Sequence, residues 1–311
     1  MKKITKNIIT FLLFVGFLLS IVRPVRAVNL HLEPDFSQHN IGDIFIVGIR
    51  LDTDYCINAG QIELIYPTQL LKGRDFSTGS SIFEFWPEEP EIDNERGRIY
   101  FSGGTPDGFC GNGSAILGEV VFEAEETLRK FTEKIIISDY KILLDDGLGT
   151  EAEVEKEDAY FVVLPNRSSI PSDPWRERLQ EDRTSPESFD PEIRRDPSIS
   201  DGKYVVVFST VDRQTGLDYY KVSETRRVGF IEVGEKQWKR AESPYLLEDQ
   251  SLASIIRVKA VDRAGNARVE EIHPPYGIWD YGPWVGVIVI IFTIIYFKAR
   301  RKRKDLNIEW S

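Results

Sequence analysis

Apolar positions in this chain recur mostly every second residue, in short runs broken by glycine, proline and aspartate. Ala27–Leu32 and Ile44–Leu51 alternate in this way, as strands with one buried face do. Gln61–Tyr66, Ile82–Trp86, Ile99–Ser102, Ala115–Ala124, Lys134–Leu143 and Ala159–Leu164 continue the pattern. Turn residues separate the runs at Ile41-Gly42-Asp43, across 103–108 and across 145–149. About eight or nine short strands so spaced predict an antiparallel β-sandwich over residues 28–165. Glu123–Phe131 reads as a helical turn too short to alter that class.

The pattern then changes. Residues 166–200 hold five prolines and few apolar side chains, which predicts an extended, charged linker. Trp175 and Phe189 are its large aromatic residues, suited to docking on a neighbouring domain. Residues 201–273 return to a smaller all-β pattern, with strands expected at Tyr204–Thr210, Asp218–Ser223, Gly229–Val233 and Ile255–Val261. The turns Asp212–Gly216 and Asp262–Asn266 close the ends of this second sandwich. Each supplies one fixed carboxylate by itself, so a calcium site at either is short of ligands. No other cofactor is expected.

Two segments are apolar throughout. Ile8–Val22 follows Lys2, Lys3 and Lys6 and precedes Val25-Arg26-Ala27, which predicts a signal peptide over 1–27, cleaved after Ala27. An uncleaved signal anchor is the alternative. Tyr281–Phe297 is followed at once by a basic block from Lys298 to Lys304. This predicts one transmembrane helix over 281–297, with 298–311 as a short cytoplasmic tail and the lipid bilayer as a partner. A buried core helix is the alternative. On this reading the protein is a single-pass membrane protein with its N-terminal domains outside the cell.

The chain's net charge of −11 is unevenly placed. The first 27 residues carry +5 and the tail from Lys298 carries +4, leaving about −20 between them. Such a surface excludes a nucleic-acid role. Cys56 and Cys110 are the two cysteines. In an oxidising compartment a disulfide is the default, and two reduced, separately buried thiols are the alternative.

Catalytic motifs are missing: the sequence has no HExxH, no Gly-x-Ser-x-Gly and no dinucleotide or phosphate loop. Glu84, Glu88, Glu89, Glu91 and Asp93 cluster around Trp86, a charge run that fits a solvated face better than a glycosidase pair. The protein is therefore expected not to be an enzyme. Phe85 and Trp86 lie between Glu84 and Pro87, where strand alternation turns one ring inward and exposes the other. The glycine-rich loop with Asp107 and Cys110 is the other candidate contact.

Several short motifs carry a resemblance. Ile41-Gly42-Asp43 leading into Phe45-Ile46-Val47, Asn58–Leu64 followed by Tyr66-Pro67, Phe101–Gly104, Leu117–Phe122, and Asp145-Asp146-Gly147 before Ala159-Tyr160 together resemble cohesin-type modules. The resemblance spans about 28–164. It implies an all-β, nine-stranded, jelly-roll-like sandwich, kin to carbohydrate-binding modules, that receives a dockerin-like protein. The placement of Cys56 and Cys110 and the aromatic stretch Ser81–Pro87 depart from that family. Thr215–Tyr220 and Val258–Asn266 resemble the Ig-like modules of bacterial surface proteins, which implies a smaller Ig-like sandwich. The expectation is a membrane-anchored display protein that binds a protein partner. The alternatives are a polysaccharide ligand stacked on Trp86 and a purely structural envelope role.

Overall fold

The computed structural model describes residues 28–111, 113–195, 197–228, 231–233, 237–273 and 282–308. The chain divides into two compact units: one runs to Phe76 and from Ser81 to Asp173, the other comprises Ser77–Ser80 and the chain from Pro174.

The first unit is a two-sheet sandwich of eleven strands: β1 (Val28–Glu33), β2 (Phe36–Ile41), β3 (Ile44–Thr53), β4 (Ile57–Ile65), β5 (Leu71–Ser77), β6 (Phe85–Asp93), β7 (Arg98–Phe109), β8 (Gly113–Ala124), β9 (Phe131–Leu144), β10 (Val154–Glu157) and β11 (Ala159–Arg167). One sheet has the order β10-β1-β3-β8-β5 and the other β2-β11-β9-β4-β7-β6. About nine strands were expected, with eight runs placed along the sequence; the three strands not placed, β2, β5 and β10, lie at sheet edges. They bury few large apolar side chains, with Gly73 at an inward position of β5 and most of β10 exposed, so their sequences do not announce them. Between β8 and β9 the chain forms no helical turn.

Inward positions of both sheets meet in one core. Leu30, Ile49 and Leu51 from one sheet pack with Ile62, Leu64, Ile99 and Phe101 from the other, all fully buried. Cys56 and Cys110 form a disulfide with Cα atoms 4.2 Å apart.

The second unit is smaller. It contains α1 (Pro174–Glu181), β12 (Glu192–Arg195), α2 (Pro197–Ser200), β13 (Tyr204–Val207), β14 (Leu217–Val228), β15 (Ile231–Val233), β16 (Lys239–Ala241), β17 (Tyr245–Leu246), β18 (Ser254–Asp262), β19 (Ala267–Ile272) and α3 (Gly282–Ile308). β12, β13 and β17 make one sheet; β15, β14, β18 and β19 make the other, with β16 paired to β14. Phe189, Val206, Phe208, Val222, Ile256 and Val258 form its core.

Residues 166–200 are therefore not an extended spacer. Pro174 opens α1, a position where a missing N–H costs nothing. Phe189 joins the second core, and β12 pairs with β13 from Glu192↔Val207 to Arg195↔Tyr204. The segment is too polar to form a core of its own, but it adds to one formed by later strands.

The expected membrane span is also corrected. Among the described residues no helix is long and apolar enough to cross a membrane. α3 runs through Lys298–Lys304, so the basic block lies within the helix instead of flanking a completed span. Its uncharged part, Gly282 to Phe297, is about 24 Å long at 1.5 Å per residue, against a bilayer core of about 30 Å. With the span over 281–297 fall the bilayer partner, the single-pass topology and the anchored display role. The expected signal peptide, 1–27, lies outside the described residues.

Candidate functional site

Two arrangements of side chains stand out, one in each unit. In the second unit, Asp182, Asp212 and Asp262 each offer a carboxylate oxygen, and these atoms lie within 4.8 Å of one another. The three residues are 2, 3 and 1 % exposed.

Strand pairing explains the meeting. β14 begins directly after the turn 212–216, and β18 ends on Asp262, the first residue of the turn 262–266. The two strands are antiparallel neighbours, with Leu217 opposite Asp262. That register sets the two turns side by side, and Arg263 N donates to Gly216 O at 3.0 Å. Gly216 and Gly265 take φ values of +87° and +89°, which the tight turns need and glycine tolerates. Asp182 arrives from the chain just beyond α1.

Each carboxylate is held from outside the cluster. Asp212 Oδ1 accepts from the backbone N–H groups of Gln214, Thr215 and Gly216 at 3.1, 2.9 and 2.9 Å. Asp182 Oδ1 accepts from Thr184 N at 2.9 Å, and its Oδ2 accepts from Thr215 Oγ1 at 2.6 Å. Asp262 Oδ1 accepts from Asn266 N at 2.8 Å, while its Oδ2 accepts from Asn266 Nδ2 at 2.9 Å. Burial holds the Asp262 carboxyl above its usual range; the Asn266 bonds oppose this, and the charges of Asp182 and Asp212 add to it. Three buried acids with oxygen donors so close form a hard-ligand set that could hold a divalent cation such as calcium. The turns had each been credited with one carboxylate. Asp182, in the presumed linker, carried no local sign of joining them.

In the first unit the structure separates the expected aromatic pair. Trp86 faces the core, with ring centroids 6.2, 5.7 and 5.8 Å from Phe76, Phe83 and Phe101. Trp86 is thereby partly buried against the core, which leaves its ring poorly placed to stack a sugar. Phe85 points to the opposite face and is 41 % exposed. Gly104 leaves room for the Phe85 ring, and Gly103 for the buried Phe83 that packs against Trp86. A Cβ on Gly103 would lie 2.3 Å from Phe83 Cδ2, and one on Gly104 would lie 2.6 Å from Phe85 Cζ.

On the same outer face of the six-stranded sheet, farther along β7, runs a polar network. Tyr100 Oη donates to Glu88, and the Arg98 guanidinium lies 5.4 Å from the Tyr100 ring centroid. Arg98 Nε pairs with Glu63 Oε2 at 3.3 Å, and Ser138 Oγ donates to Glu63 Oε1 at 2.8 Å. The Tyr100 hydroxyl is held above its usual range, first by its bond to Glu88. Glu88 is thus engaged with a phenol and not paired with a second carboxylate as an acid–base couple. Glu84 is half-buried, with its N–H donating to Gly104 O. Asp107 is exposed farther along β7, towards the disulfide, so the four predicted contact residues do not form one cluster.

No protein-family model and no curated protein sequence matches this chain. Among solved structures it is similar to a type I cohesin from Clostridium thermocellum in a cohesin–dockerin complex, at 10% identity over 44% of this chain and 94% of that one, with a TM-score of 0.38. A non-cellulosomal cohesin from Archaeoglobus fulgidus is 14% identical over 44% of this chain and 91% of its own, with a TM-score of 0.37. The seventh type I cohesin of ScaB from Pseudobacteroides cellulosolvens is 14% identical over 47% and 98%, with a TM-score of 0.35. Each likeness covers less than half of this chain, and at these identities and scores none of them bears on site or partner.

Proposed function

We propose that this protein is a non-catalytic binding module that receives a protein partner on the outer face of the six-stranded sheet. The observation that carries this is the exposed Phe85 ring beside the Glu88–Tyr100–Arg98–Glu63–Ser138 network. An exposed aromatic side chain seated against glycine, on the same sheet face as a row of pre-paired polar groups, suits a protein contact with an apolar anchor and polar surroundings. The cohesin-like motifs make a dockerin-like protein the first partner class to test.

The test is isothermal titration of the full chain with a panel of dockerins. Binding with a micromolar or lower dissociation constant, weakened at least about tenfold by Phe85→Ala at unchanged melting temperature, supports the reading. Silence across the panel, or binding indifferent to both Phe85→Ala and Tyr100→Ala, would overturn it.

A second, structural role rests on the buried aspartates of the other unit. A cation there would tie the segment after α1 to two turns that are distant in sequence.

A further inference from the structure

A pocket of about 530 Å³ opens at the end of the first sandwich, lined by Pro67, Leu70, Leu128, Phe131, Glu126 and Glu133 among others. Its walls are the turn after β4 and the connection from β8 to β9, tied together by Glu125 N donating to Leu70 O at 2.8 Å. Phe131 lies opposite Val163 and Glu133 opposite Phe161, two buried core positions, so the pocket extends the core outward. Its volume falls within the roughly 300–1,000 Å³ usual for pre-formed binding pockets.

Leu128 on the rim is 100 % exposed. Its loop does not depend on burying it. Thr127 Oγ1 donates to Arg129 O at 2.8 Å, Arg167 Nη2 pairs with Glu126 Oε1 at 2.7 Å, and Arg129 lies 4.9 Å from the Phe131 ring centroid. Polar contacts therefore hold an apolar tip in place beside an apolar pocket. A fully exposed leucine gains contact area only from an occupant.

Charge selects that occupant. Residues 28–165 carry 27 acidic and 10 basic side chains, a net of −17. The corresponding unit of a second copy, or any acidic segment, meets like charge. Of the basic groups at the rim, Arg129 lies over Phe131 and Arg167 pairs with Glu126. We infer that this pocket takes a large apolar side chain from a cationic protein segment, with Leu128 closing over it. The inference rests on the reading of the first unit as a protein-binding module, but it names a different surface from the Phe85 face.

The probe is an amidated hexapeptide with leucine-phenylalanine between pairs of lysines, titrated into the methyl-labelled full chain and followed by NMR. Saturable shifts at the Leu70 and Leu128 methyls are expected. Affinity should fall at least about tenfold when glutamates replace the lysines, and should weaken with salt. Leu128→Ser, a change at a fully exposed site, should reduce binding by a similar factor without unfolding the chain. Phe85→Ala should leave peptide binding unchanged, so this site and the sheet face can fail separately. No shift, equal affinity for both peptides, or binding indifferent to Leu128→Ser would overturn the proposal. So would a neutral apolar compound such as toluene binding as tightly as the lysine peptide, which would assign the pocket to a small ligand.

Discussion

Asp182 Oδ2 accepts a 2.6 Å hydrogen bond from Thr215 Oγ1, across 33 positions of sequence. This bond ties the chain after α1 to the turn before β14. The same carboxylate group lies within ligand range of Asp212 and Asp262. Anions buried together repel, and a bound divalent cation is a direct way to offset that repulsion.

Calcium should therefore stabilise the second unit. At about 100 times its dissociation constant it would add about 2.7 kcal/mol. Thermal unfolding in calcium and in EDTA measures the difference, and Asp212→Asn and Asp262→Asn should each abolish most of it. A calcium effect that survives in both variants would place the ion elsewhere.

The metal-free second unit should show an inverted pH response. Burial and the neighbouring aspartates hold the Asp262 carboxyl above its usual range. A raised acid binds its proton more tightly in the folded state. Stability is thus present below the usual aspartate value of about 3.9 and is lost as pH rises through the raised one. The wild-type minus Asp262→Asn difference in urea midpoint, followed in EDTA from pH 4 upward, should fall with pH. Added calcium should flatten it, and a difference that grows with pH would contradict this assignment.

His39 in the first unit responds in the opposite sense. Burial pushes its imidazole down to about 4, with Asp43 partly opposing, and the ring stacks on Phe45 at a centroid distance of 3.7 Å. Its folded value lies below the unfolded one of about 6.5, so its contribution is complete above that pH and fades as pH falls towards 4. His39→Phe, which keeps a stackable ring without a proton site, should give a shallower acid limb in urea unfolding between pH 6.5 and 4.

Phe85 and Trp86 should separate binding from stability. Trp86→Ala removes a ring packed among Phe76, Phe83 and Phe101 and should cost about 3 kcal/mol. Phe85→Ala should cost less than about 1 kcal/mol in chemical denaturation. Equal costs would mean that both rings are structural.

The Cys56–Cys110 bond closes a 54-residue separation. In the chain-entropy model its removal costs about 4 kcal/mol. The double variant Cys56→Ala, Cys110→Ala should show that loss in urea, and wild type in reductant should move towards it. A midpoint shared by variant and oxidised wild type would show that the bridge adds nothing.

Central strands were legible as apolar runs between turns: Ile44–Leu51, largely alternating, and Ala115–Ala124, buried on both faces over 117–122, lie within β3 and β8, paired across ten positions. β2, β5 and β10 were not, because few of their residues are large apolar side chains at inward positions: in β5 an inward position is Gly73, and β10 is exposed throughout most of its length. The opposed directions of Phe85 and Trp86 followed from alternation. That Phe85 is the outward ring goes with the room left by Gly104 on β7, the neighbouring strand it pairs with.

Local chemistry alone determined the all-β class, the acidic surface and the glycine turns at 212–216 and 262–266, because alternation, charge and φ preference are written residue by residue. Tertiary structure decided that those turns meet each other and Asp182, that residues 166–200 join a core, and that Leu128 stands on the rim of a pocket. Each of these depends on which strands are neighbours and in what register, as with Leu217 opposite Asp262. Register is set by the packing of whole sheets and is not encoded in any one segment.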